Sequence, residues 1–239
     1  MILSRRGILR LGGAAGVVSM MDTYVLANAG IPAKDAVDHL LLGASDLDQA
    51  IAWVEAMTGV RSSVGGRHPG RGTRNALLSF GRRQYLEIIA PDPTQTEIAE
   101  QFAPIKQLKT PRLLTWAAAT KDIAAVAQKA RAAGYQILGP SGGSRTRPDG
   151  RILNWKTMNV SNDIGALIPF FIEWSADAVH PSEDSPRGCS LASFDMEHPE
   201  PSRVSEMLGR LGIEAKVSRG QEPRLIAVIN TPKGRIEVT

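Results

Sequence analysis

The stretch VDHLLLGASDLDQAIAWVEAMTG, Val37 to Gly59, reads as a strand running into a helix. Val37 to Ala44 is a short extended run. Leu47, Ala50, Ile51, Val54 and Met57 then recur at the three- and four-residue spacing of an amphipathic helix. Asp46 suits the N-cap and Gly59 the C-terminal stop. Two further extended runs follow a Gly/Arg-rich loop, NALLSFG (75–81) and QYLEIIAP (84–91), joined by the charged turn GRRQ. The order is strand, helix, strands.

That order returns twice. LLTWAAAT (113–120) is a strand, KDIAAVAQKARAAGY (121–135) a helix on Ile123, Val126 and Ala130, and YQILGP (135–140) an extended run. A second Gly/Arg-rich loop, GGSRTRPDGR (142–151), leads to ILNWKTMNV and ALIPFFIEWS. From Cys189 the series is CSLASFDME, a helix SRVSEMLGRLG, then EAKVSRG, RLIAVINT and GRIEVT. A supersecondary unit repeated at roughly 75 residues predicts modules that complete a shared sheet or core. Each unit closes on a strand carrying a glutamate: Glu87, Glu173 and Glu237. A carboxylate buried without a partner is costly, so Glu87 in the apolar run QYLEIIAP needs a cation, donors or water. The competing reading is a solvated strand residue.

The chain has 239 residues, 43% of them hydrophobic, with a net charge of +4. That composition is ordinary for a globular protein with a packed core. The mild positive charge, without a helix-turn-helix, zinc-finger or RNA-binding aromatic motif, gives no support to nucleic-acid binding. Cys189 is the single cysteine, so neither an intramolecular disulfide nor a cysteine-based zinc site can form. Walker, dinucleotide-binding and G-x-S-x-G motifs are missing. His180 and His198 each precede a proline and read as a linker and a helix entry.

The first thirty residues are set apart as an export segment. Ser4-Arg5-Arg6-Gly7-Ile8-Leu9-Arg10 resembles a twin-arginine signal, and Leu11 to Met21 is apolar but short of the roughly 20 residues of a membrane span. Ala27 and Ala29 supply an A-x-A cleavage pattern. The expectation is a periplasmic or exported protein, otherwise a cytoplasmic one, with no stable membrane span once the signal is removed.

From residue 36 onward the modules resemble the vicinal-oxygen-chelate superfamily, in its glyoxalase-like branch. The residues that carry this are DHLLLGASDLDQAIAWVEAMTGV (38–60), GGRHPGRGTRNALLSFG (65–81), QYLEIIAPDP (84–93) and HPEPSRVSEMLGRLGI (198–213). The resemblance implies an α+β fold of repeated β-α-β-β-β modules. Two, over 36–178, would pair into a curved cup-like sheet, with a third, over 187–239, alongside. It also implies a metal inside the cup, held by His39, Glu87 and Glu173. Thr115 stands where a second histidine would be expected. One imidazole and two carboxylates suit a divalent ion such as Zn, Fe, Mn or Ni.

The two Gly/Arg loops predict recognition of an anion, because guanidinium forks match carboxylates and glycines let backbone N–H groups approach. Arg67, His68, Arg71 and Asn75 are the candidates from the first loop, and Arg147 from the second, which also holds Arg145 and Arg151. His68 is placed to titrate near neutral pH or to replace the missing histidine. The function expected is a metal-dependent lyase or isomerase, with Glu87 and Glu173 as catalytic groups, acting on a small anionic oxygen-bearing molecule. The alternatives are a metal-free binding or sequestering protein and a non-heme metal dioxygenase-like enzyme. A homodimer is the one assembly considered.

Overall fold

The computed structural model describes residues 30–147 and 149–239, so the export-signal expectation lies outside the described residues. The first module comprises β1 (Val37–Gly43), α1 (Leu47–Thr58), β2 (Ser63–His68), β3 (Thr73–Gly81) and β4 (Gln84–Pro91). The second comprises β5 (Arg112–Ala119), α2 (Ile123–Ala132), β6 (Ile137–Thr146), β7 (Ile152–Val160) and β8 (Phe170–Trp174). Their strands form one eight-stranded sheet in the order β2-β3-β4-β1-β5-β8-β7-β6. The two halves mirror each other across the antiparallel β1/β5 pair, and within each module the first strand pairs in parallel with the last.

Local sequence explains the helices. The Asp46 carboxylate caps α1 by accepting from the Gln49 N–H at 2.8 Å, and Gly59 ends it in the left-handed region at φ 78°. Asp122 caps α2 in the same way, accepting from the Ala125 N–H at 2.9 Å.

Strand parity divides the sheet into two faces. On the convex face, Leu40, Leu42, Leu78, Ile88 and Trp116 are fully buried with Leu47, Ile51 and Val54 of α1 and Ile123 and Ala127 of α2. Each such side chain contributes on the order of 1.5–3 kcal/mol relative to exposure. The other parity carries His39, Leu41, Asn75, Tyr85, Glu87 and Thr115 onto the concave face.

The sheet curls until its two edge strands meet. Arg145 on β6 donates a hydrogen bond to the Gly65 carbonyl on β2. A Cβ on Gly66 would lie 3.0 Å from the Thr146 carbonyl oxygen, so glycine permits this approach.

The C-terminal part comprises β9 (Ser190–His198), α3 (Pro201–Arg210), β10 (Val217–Arg219), β11 (Arg224–Thr231) and β12 (Gly234–Val238). It covers the convex face, with the Phe194 ring 5.1 Å from that of Trp116. Its element order follows the repeat, but its strand order is β10-β9-β11-β12. The crossover through α3 brings β10 back parallel to β9, so β12 pairs only with β11 and lies at the sheet edge. Glu237 on β12 is exposed and does not line the cup's cavity.

Candidate active site

Two bulges shape the floor of the cup. On β1 the register slips between Val37 and His39, leaving Asp38 as an extra residue opposite β5. Asp38 therefore does not point cleanly to the opposite face: its Oδ1 lies 2.7 Å from Nδ1 of His39. On β5 the slip leaves Leu114 extra, and both Leu114 and Thr115 reach the cavity.

Asp38 is closed to solvent and collects three donors. His39 Nδ1 stands at Oδ1, while His180 Nε2 at 3.1 Å and Trp174 Nε1 at 3.0 Å stand at Oδ2. Burial pushes this carboxyl up, but the hydrogen bonds to His180 and His39 and their charges outweigh it, holding Asp38 at about 2. Its acceptance from Nδ1 fixes the His39 tautomer and turns Nε2 into the cavity.

Glu87 lies on the neighbouring β4, with Oε2 3.4 Å from His39 Nε2. Its Oε1 accepts from Asn75 Nδ2 at 2.6 Å and lies 3.6 Å from His68 Nε2. The Tyr85 ring stacks on His39 at 4.7 Å. Burial raises the Glu87 carboxyl, but the charges of His39 and His68, the Asn75 hydrogen bond and Arg145 together hold it below its ordinary value. Burial is also the largest influence on His68. It lowers that imidazole, and the neighbouring Arg145 and Arg71 guanidinium groups act in the same direction, against the opposing charge of Glu87. The site thus holds an ionised glutamate beside a histidine kept neutral.

These groups line a cavity of about 640 Å³, which Arg71, Arg112 and Arg145 also border. The structure brings His39, Glu87, His68, Asn75 and Arg71 together there. It does not bring Glu173, Arg67 or Arg147. Along β8 the parity sends Phe170, Ile172 and Trp174 into the cavity and Glu173 to the other side. There Glu173 accepts from the Ile123 N–H at 2.7 Å and lies 3.3 Å from Lys156 Nζ, a helix-capping role. Arg67 is exposed near Asp92, and Arg147, beyond the end of β6, pairs with Asp184.

Sequence reasoning missed Asp38, because a bulge cannot be read from period-2 alternation. It also missed His180, because an isolated His-Pro in a polar stretch carries the signature of a linker. Arg145 was placed in the same loop as Arg147, and only the end of β6 at Thr146 separates the two.

The donor set does not fit the divalent ion that the resemblance implies. Of the three expected ligands only His39 and Glu87 share the cavity. Among the described residues no group of three or more His, Cys, Asp or Glu is placed to hold a metal. What the arrangement does offer is proton transfer between a carboxylate and an oriented imidazole, next to guanidinium groups.

The family model described as glyoxalase-like domain matches residues 37–212, most of the chain. The chain belongs to this glyoxalase-like family. The match spans both cup modules and reaches the end of α3, and the half-barrel of mirrored modules agrees with the vicinal-oxygen-chelate architecture. Among solved structures, a hypothetical protein from Staphylococcus aureus superposes with a TM-score of 0.62 at 16% identity, covering 79% of this chain and 87% of its own. Methylmalonyl-CoA epimerase from Mycobacterium tuberculosis gives 0.40 at 20% identity over 58% of this chain and 86% of its own. The Streptomyces coelicolor enzyme of that name gives 0.44 at 18% over 59% and 98%. No curated protein matches the chain. No helix among the described residues of this glyoxalase-like chain is long and apolar enough to cross a membrane.

Proposed function

We propose that this glyoxalase-like protein is an enzyme of the isomerase or lyase kind, moving a proton on a small anionic oxygen-bearing substrate bound in the cup. The observation that carries the reading is the Asp38-oriented His39, whose Nε2 faces Glu87 at 3.4 Å on the cavity floor.

Glu87 accepts a proton from carbon next to the substrate's carbonyl or carboxyl group. The C–H electron pair moves onto that group as an enolate, which Arg145 and Arg71 are placed to stabilise. His39 Nε2 exchanges the proton with Glu87, and reprotonation of carbon gives the isomer. Held low by its neighbours, Glu87 is by itself a poor base for carbon. An anionic substrate beside it raises its proton affinity, bringing the group toward the neutral range where general-base catalysis works best.

The support is geometric, and the test is hydrogen exchange. Small 2-oxo and 2-hydroxy acids incubated with the protein in D₂O should lose the proton next to the carboxyl or carbonyl group, followed by proton NMR. Glu87→Gln and His39→Gln should each lower that rate by about 10²- to 10⁴-fold. Binding of acids without exchange would instead favour a metal-free binding protein. That second reading draws on the aromatic residues around the cavity.

A further inference from the structure

Two features of the cup remain unused by proton transfer. The first is Arg145, only 5% exposed, whose guanidinium has no carboxylate oxygen within 4.0 Å among the described residues. Among the described residues its one acceptor is the Gly65 carbonyl. A buried guanidinium offers five N–H donors in a fixed fork, and leaving such a charge without an anion is costly. Glu87 acts on it from a distance and is itself engaged by Asn75 and His39. The remaining donors therefore await an anion that the ligand brings.

The second is where the aromatic residues stand. The chain has only twelve, five Phe, three Tyr and four Trp, and five of them line this single cavity. Four of these, Phe102, Trp155, Phe170 and Trp174, are only half-buried, so their ring faces still meet solvent inside the cup. Trp155 and Trp174 are register partners on β7 and β8, with ring centroids 5.4 Å apart. Trp155 lies across Gly143 of β6, where any Cβ would stand 2.5 Å from its Nε1. Arg145 is two residues further along β6 on the same face. That backbone spacing is about 6.6 Å along a strand, and the Arg145 and Trp155 side chains both line the cavity.

We propose that the substrate class is a ring-bearing carboxylic acid with a short spacer: the carboxylate docks on Arg145 and a planar ring packs against Trp155 and Trp174. The spacing fits an aryl group one to three atoms from its carboxylate. This rests on the cup being the substrate site, as argued above, but not on the chemistry performed there.

The test is equilibrium binding to the full chain at pH 7.5, by calorimetry and tryptophan fluorescence. The probes are 3-phenylpropionate, 3-phenylpropanamide and 3-cyclohexylpropionate. The acid should bind about tenfold or more tightly than the amide, because a charge-assisted pair is replaced by a neutral one. The phenyl acid should bind roughly two- to tenfold more tightly than the cyclohexyl acid of like size, through ring-on-ring contact, and should quench fluorescence.

Arg145→Met should level acid and amide, while Trp155→Leu should level phenyl and cyclohexyl and keep the acid preference. Equal affinities for all three probes in the unmodified protein, or an acid preference that survives Arg145→Met, would overturn the proposal. The unmodified protein decides the matter even if a variant does not fold. Exchange on aliphatic acids without a ring preference removes the proposal and leaves the proton-transfer reading. Ring acids that bind identically to wild type and His39→Gln, without exchange in either, do the reverse.

Discussion

Asp38 and His180 stand 142 positions apart in sequence and meet at 3.1 Å, Oδ2 to Nε2, with neither side chain open to solvent. The contact ties the segment after the second module to the first strand of the first. His180 is fixed from its other side by Ser182, whose Oγ is 2.8 Å from Nδ1. Asp38→Ala would strand the buried donors on His39 and His180 and the half-buried one on Trp174, and should cost on the order of 3–5 kcal/mol. His180→Gln keeps a donor within reach and should cost only about 1 kcal/mol. Urea midpoints of the two variants measure the difference.

Three groups of the site, Asp38, Glu87 and His68, make the protein weaker in acid. Asp38 sits at about 2 against an ordinary 3.8. Its contribution, roughly 2 kcal/mol, is complete above pH 4 and is lost as pH falls toward 2. Glu87 is lowered too, so its part is lost in the same direction. His68 is lowered from 6.5, which means the unfolded chain takes up its proton first and stability begins to fall as pH drops below about 6.5. Thermal melts from pH 8 to 3 should show this first loss in the wild type. In His68→Gln it should be missing while the steeper loss below pH 4 persists.

Glu173 tests how far the sequence could be read. Its replacement by Gln should leave ligand binding in the cup unchanged. Glu173→Ala should cost about 1 kcal/mol by leaving the Ile123 N–H uncapped, seen as a lower melting temperature.

The module order and the helices, with the Asp46 cap, were legible because hydrophobic period and capping are local properties, and the pairing of His39 with Glu87 followed from the family resemblance. Glu173 misled because its place in FFIEW was matched to that of Glu87 by similarity of the run. A one-residue difference in phase sends a strand side chain to the opposite face. The third unit misled for a related reason. Element order is written in sequence, whereas the strand order β10-β9-β11-β12 depends on which edge a crossover returns to. Arg145 became distinguishable from Arg147 only once the end of β6 at Thr146 was known.

Gly65 is where the clasp between the two sheet edges meets the acid–base cluster. A Cβ there would stand 2.4 Å from Asn75 Oδ1 and 3.1 Å from Arg145 Nη1. Asn75 cannot yield freely, since its amide is held 2.6 Å from Glu87. Gly65→Ala should therefore cost about 1–3 kcal/mol through overpacking. If Asn75 swings aside to accommodate it, Glu87 loses a donor that favours its charged form, and its titration in the carboxyl ¹³C spectrum should move upward. Gly142→Ala, three residues from the same clasp with nothing within 4 Å of its Cβ, should change neither quantity. A Gly65→Ala protein with wild-type stability and an unmoved Glu87 would mean that the edge contact does not constrain the site.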